Sequence, residues 1–162
     1  MEDRILALAQ HLEIDYFKHN GEYYVGATQE EYEDFEKKEL ENEEDTETAF
    51  DEWIDSEYST LEEEITNSYG NCYEYGREGY LVLTDTEADS EAYDYTYSIW
   101  EECYLTEEVK KQLGFLADYI DLDQATKDAI QADGRGNSLS SYDGEEYEET
   151  INNVTYYIYR IN

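Results

Sequence analysis

The sequence predicts an α+β fold of aromatic β-hairpins and acidic amphipathic helices, and a low-identity internal repeat suggests two related hairpin-helix lobes. Three observations carry this. Tyr-rich runs broken by Asn-Gly read as hairpins, and apolar residues recurring at spacings of three and four mark helix stripes. Hydrophobic residues make up 40% of the chain and aromatics 15%, enough for a core despite 44 Asp and Glu. Acidic chains that remain disordered are poor in aromatics, so this one is expected to fold.

Ile5, Leu6, Leu8, Ala9 and Leu12 predict a short helix ending near His11-Leu12. Tyr16-Phe17-Lys18 and Glu22-Tyr23-Tyr24-Val25 flank Asn20-Gly21, a pair that tolerates the positive φ angles of a type I′ turn. His19 falls beside that turn and is expected to be exposed. Thr28 followed by Glu31 is a capping-box pattern, so a helix should start near Gln29. Phe50, Trp53, Ile54, Tyr58, Leu61 and Ile65 form one stripe, predicting a helix from about Glu47 to Thr66.

The same order returns 56 residues later, with Glu22, Tyr24, Thr28 and Glu31 falling on Glu78, Tyr80, Thr84 and Glu87. Tyr73 to Tyr75 and Tyr80 to Leu83 predict strands, and Ala88, Ala92, Tyr95, Ile99 and Trp100 predict a helix. Val109, Leu113, Leu116 and Ile120 predict another, and Ala125, Ala129 and Ile130 a shorter one. Asp133 to Gly144 is rich in turn residues and reads as a loop. A last strand pair turns at Asn152-Asn153. The expected lobes are 1–70 and 71–162, or else one continuous domain.

No phosphate-cradling GxxxxGK[ST] or GxGxxG is present, nor HExxH or GxSxG. His11 and His19 are the only histidines, so no enzyme activity and no cofactor are expected. Asp118, Asp121 and Asp123, or Asp133, Asn137 and Asp143, lack the EF-hand spacing, and turns explain both groups better. Cys72 and Cys103 have neither zinc-site nor disulfide-framework spacing and read as buried or incidental thiols. Tyr93, Tyr95 and Tyr97 lie among Asp89, Glu91 and Asp94, where exposed tyrosines would add contact area. The N-terminus has no basic region followed by an apolar run, and a cytoplasmic location is expected.

Charge is the functional signal. The net value is −34 on 162 residues. Duplex DNA carries about one charge per 1.7 Å of axis, so this matches roughly 17 base pairs. The window from Glu30 to Glu64 holds 18 acidic residues against Lys37 and Lys38, a net −16. Ordinary surface helices mix both signs. A single-sign face implies a basic partner, with Glu30, Glu31, Glu33, Asp34, Glu36, Glu41, Glu43, Glu44, Asp45, Asp51, Glu52 and Asp55 as its candidate contacts. Adaptation to high salt is a competing explanation of the acidity.

Three stretches carry a resemblance: Tyr80-Leu81-Val82-Leu83-Thr84-Asp85-Thr86-Glu87-Ala88-Asp89, the run from Gly134 to Glu146, and Tyr156-Tyr157-Ile158-Tyr159-Arg160-Ile161-Asn162. Across residues 72 to 162 the chain resembles a family of uncharacterised acidic phage-encoded proteins, which implies a phage setting. By charge and size alone it is similar to antirestriction and anti-CRISPR DNA mimics. That similarity implies a partner among restriction-modification or CRISPR effector proteins of the host cytoplasm, without direct nucleic-acid or membrane binding. It leaves open whether the chain forms a homodimer. The alternatives are an Asp/Glu metal-dependent hydrolase and a phage regulatory protein that binds a basic nucleic-acid-associated partner.

Overall fold

The computed structural model describes residues 2–40 and 47–162. The chain is α+β and divides into two compact units, Met1–Arg77 and Glu78–Asn162. Among the described residues, no helix is long and apolar enough to cross a membrane.

In the first unit, α1 (Glu2–His11) buries Ile5 through Ala9. Strands β1 (Tyr16–His19) and β2 (Glu22–Val25) pair antiparallel, with His19 opposite Glu22. Their turn places Asn20 at φ +47° and Gly21 at +95°, the left-handed pair that a type I′ turn requires. Helix α2 (Gln29–Leu40) opens on the expected box: Thr28 N and Oγ1 both donate to Glu31 Oε2 at 2.9 Å.

The single helix expected from 47 to 66 is corrected. Helix α3 (Glu47–Glu57) stops, and Thr60 with Glu63 forms a second capping box that starts α4 (Leu61–Glu64). Ile65 then opens strand β3 (Ile65–Tyr69), which pairs antiparallel with β4 (Cys72–Tyr75). The hairpin backbone forces the break, because Val25 N donates to Ser59 O at 2.9 Å and Tyr24 bridges to Thr60. Those groups are occupied by β2 and are unavailable to a continuous helix. Phe17, Tyr24, Tyr32, Phe50 and Ile54 form the core between the hairpin, α2 and α3.

In the second unit, β7 (Val154–Arg160) lies between β5 (Glu78–Thr84) and β6 (Tyr147–Ile151), antiparallel to both. The β6–β7 turn holds Asn152 at φ +50° and Asn153 at +65°. Helix α5 (Asp85–Ile99) continues into a π-helical turn over residues 100–104, closed by Leu105 N donating to Trp100 O at 2.8 Å. Helix α6 (Glu107–Leu113) ends at Gly114, whose φ of +57° turns the chain into a 3-10 segment. This overturns the continuous stripe expected from Val109 to Ile120, leaving Leu116 53% exposed.

Asp121 caps α7 (Leu122–Asp133). The expected loop after it contains α8 (Gly136–Leu139), whose Leu139 joins Leu83, Ala88, Ala92 and Tyr159 in a core cluster. A Cβ on Gly136 would stand 2.3 Å from the Gly144 carbonyl oxygen, so only glycine fits this backbone crossing. Cys72 is half-buried, Cys103 is exposed, and neither forms a disulfide.

The repeat is visible as matched hydrogen bonds. The Tyr24 hydroxyl lies 3.2 Å from Glu22, as the Tyr80 hydroxyl lies 2.5 Å from Glu78. Thr84 N and Oγ1 donate to Glu87 as Thr28 does to Glu31.

Candidate acidic interface

The described part of the acidic run lies on α2 and α3, whose apolar sides face the β1–β2 hairpin. Phe35 of α2 stacks on Trp53 of α3 with ring centroids 4.8 Å apart, and on Phe50 at 6.0 Å. Phe17 stacks on Tyr32 at 4.7 Å, joining the hairpin to α2. With Tyr32 and Phe35 turned inward, helix periodicity carries the carboxylates outward. Glu30, Glu31, Glu33, Asp34, Glu52 and Asp55 are exposed, while Glu36 and Asp51 are half-buried. Glu41, Glu43, Glu44 and Asp45 lie outside the described residues.

Five of these carboxylates are held by donors other than Lys or Arg, Glu33 by Gln29 Nε2 at 3.3 Å among them. Asp55 accepts from Tyr24 OH at 2.6 Å, Glu36 from Tyr32 OH at 2.9 Å, and Asp51 bonds to His19 Nε2 at 2.9 Å. Glu31 accepts the two Thr28 bonds of the cap. His19 completes the network through Nδ1, 2.8 Å from the Tyr32 hydroxyl. The chain of contacts runs from Glu36 on α2, through Tyr32 and His19, to Asp51 on α3.

The expectation that His19 is exposed fails, as it is only 8% exposed. The cause is strand alternation: in β1 the core side takes Phe17 and His19, while Tyr16 and Lys18 turn away. Reading that period through His19 would have found it. Tyr24 and Tyr32 were also missed, since an aromatic core position does not announce what its hydroxyl holds.

These contacts shift the titrations of Tyr24, Tyr32 and Glu31. The hydrogen bond to Asp55, then burial, pushes the Tyr24 phenol well above its ordinary range. Burial, followed by the bond to Glu36, does the same to Tyr32. The Thr28 hydrogen bonds hold Glu31 below the usual carboxylate range. The two phenols stay protonated and Glu31 stays charged at neutral pH. On the described part of the face Lys37 makes a marginal ion pair with Asp34 at 3.9 Å, and His19 pairs with Asp51 when its imidazole is protonated.

In the second unit arginine joins tyrosine in holding carboxylates. The Arg135 side chain, 14% exposed, reaches Asp85 at 2.8 Å and both Asp89 and Glu146 at 2.9 Å. Its guanidinium also lies 4.2 Å from the Tyr157 ring centroid. Burial opposes that charge, but the Glu146 and Asp85 hydrogen bonds outweigh it and raise the pKa. Arg160 pairs with Glu78 and lies 3.9 Å from the Tyr142 ring centroid.

Among the described residues, no group of three or more His, Cys, Asp or Glu is placed to hold a metal ion. Asp121 accepts from Gln124 N, Asp123 from Tyr93 OH, and Asp143 from Ser140 Oγ and Glu145 N. Of the three adjacent tyrosines, Tyr95 is exposed, and Tyr93 and Tyr97 stack on each other half-buried. Comparisons with protein-family models, curated proteins and solved structures give no match to this chain.

Proposed function

We propose that this chain is a DNA-mimicking interaction protein of phage origin. It occupies the basic nucleic-acid channel of a host defence enzyme, a restriction-modification complex or CRISPR effector, and inhibits it stoichiometrically. The observation that carries this reading is the fixing of Glu31, Glu36 and Asp55 by threonine and tyrosine. A phosphate mimic needs charges that are positioned yet still available to a cation, and a phenol or hydroxyl supplies position without an ion pair.

Linear charge density supports the same reading. Glu30, Glu31, Glu33, Asp34 and Glu36 fall within seven residues, which a helix spans in roughly 9 Å. Four intervals separate these five charges, a mean spacing of about 2.2 Å, against about 1.7 Å in duplex DNA.

The test is capture from bacterial lysate on the immobilised protein at low salt, followed by elution with duplex DNA. The expected eluate contains a DNA- or RNA-handling enzyme. Recovery of miscellaneous basic proteins that DNA does not selectively displace would reject the proposal.

A further inference from the structure

We propose that the second unit carries a binding site for an organic cation, an alkylated ammonium or guanidinium group, in the aromatic pocket where α5 and its π-helical turn meet α7 and α8. The pocket encloses about 240 Å³, and its lining includes Tyr95, Ile99, Trp100, Tyr104, Ala129 and Asp133. Pockets for drug-sized ligands run from about 300 to 1,000 Å³, so this one suits a single head group. The site is separate from the acidic face of the first unit and does not depend on its function.

The π-helical turn builds one wall. Trp100 and Tyr104 stand with ring centroids 5.2 Å apart and planes at 50°, so the two faces are splayed instead of closed on each other. Tyr104 is 61% exposed and Tyr95 52%. Exposed aromatic area of this kind is not accounted for by the core. The opposite wall is tied on by Thr96 Oγ1 and Ser138 Oγ, 2.9 Å apart. Asp133, an exposed carboxylate at the end of α7, sets the sign of the ligand.

Aromatic faces attract cations electrostatically within about 6 Å of the ring centroid, and aromatic walls with a nearby carboxylate are how proteins recognise quaternary ammonium groups. The net charge of −34 raises the local concentration of such ions around the whole surface. A shape-fitting apolar guest would gain nothing from Asp133. A simple metal ion would gain little from Tyr95 and Trp100. The combination selects a cation with an apolar skin.

The experiment follows the Trp100 indole N–H by NMR in the full chain at fixed ionic strength. Titrants are choline, its neutral isostere 3,3-dimethylbutan-1-ol, N-acetyl-arginine methylamide, and sodium chloride as the screening control. Choline or the arginine amide should give a saturable shift, with the neutral isostere at least about fivefold weaker, as expected for two ring faces. Tighter choline binding would indicate a free quaternary ammonium ligand, and tighter arginine-amide binding a side chain presented by a polypeptide.

Trp100→Leu, followed by Tyr104 resonances and titration heat, should weaken the preferred cation about tenfold. Asp133→Asn should weaken it while leaving the neutral isostere unchanged. The wild-type comparison of cation with isostere stands even if a variant misfolds. A linear response matching sodium chloride, equal binding of choline and its isostere, or undiminished binding to a folded Trp100→Leu variant would each overturn the proposal.

Discussion

The two units carry similar charge, and phenols hold carboxylates in both, Tyr24 and Tyr32 in the first and Tyr80, Tyr93 and Tyr159 in the second, but the second adds arginine. Residues 1–77 hold 24 acidic and five basic side chains, and residues 78–162 hold 20 and five. In the second unit, arginines gather carboxylates: Arg135 takes Asp85, Asp89 and Glu146, and Arg160 takes Glu78. In the first, Asp51, Asp55 and Glu36 are held by His19, Tyr24 and Tyr32. Net charge alone does not distinguish an acidic residue that builds the fold from one that is offered outward. A guanidinium uses the carboxylate's charge within the fold, whereas a phenol orients the carboxylate and leaves its charge available.

The largest effect should come from removing the organising cation of the second unit. Arg135→Leu leaves three converging carboxylates without their partner, and a loss of about 2–4 kcal/mol in urea unfolding is expected. Arg135→Lys should recover little, because a single ammonium cannot reproduce the fork. A loss below about 0.5 kcal/mol would place this cluster with ordinary surface ion pairs and erase the contrast.

Next comes His19→Leu, which preserves bulk but strips Tyr32 and Asp51 of their common partner, at about 1–3 kcal/mol by the same assay. Smaller still is Tyr24→Phe, with an expected loss of about 0.5–1.5 kcal/mol. It leaves the net charge untouched, so any drop in partner affinity beyond the stability change measures positioning alone.

The smallest effect is alkaline. Hydrogen bonding to Asp123 pushes Tyr93 up to about 12, and burial followed by the Glu78 bond pushes Tyr80 to about 12. Since the folded values lie above the unfolded one near 10, the native state retains protons that the unfolded chain loses. Their contribution is complete below pH 10 and fades as pH rises through about 12. Absorbance titration should show late phenols in the native protein. The late set should shrink in Tyr93→Phe and Tyr80→Phe, each followed by urea unfolding across the same range.

Local signals were legible in the sequence wherever one short motif decided the outcome. Asn20-Gly21, Asn152-Asn153, Thr28 with Glu31 and Thr84 with Glu87 all act as their residue types require. The expected helices failed where a periodic stripe hid a terminator. Thr60 with Glu63 is itself a capping box inside the run read as one helix, and Gly114 is a C-terminal stop inside another. Apolar spacing cannot see these breaks because Leu61 and Ile65 are buried on either account. The acidic face was legible as composition, since uncompensated Glu and Asp need no fold to be counted. The network beneath it was not, because it depends on which way β1 turns His19 and on a contact between residues 32 apart.

The most direct measurement compares matched charge reversals on the two units. One variant carries Glu30→Lys, Glu33→Lys, Asp34→Lys and Glu52→Lys, and the other carries Glu107→Lys, Glu108→Lys, Glu145→Lys and Glu148→Lys. Both change net charge by the same amount, and both are assayed for capture of a partner that duplex DNA displaces. The expected result is loss of capture with the first-unit variant and retention with the second. Equal loss from both would contradict the account, since binding would then follow total charge and not the acidic face of α2 and α3.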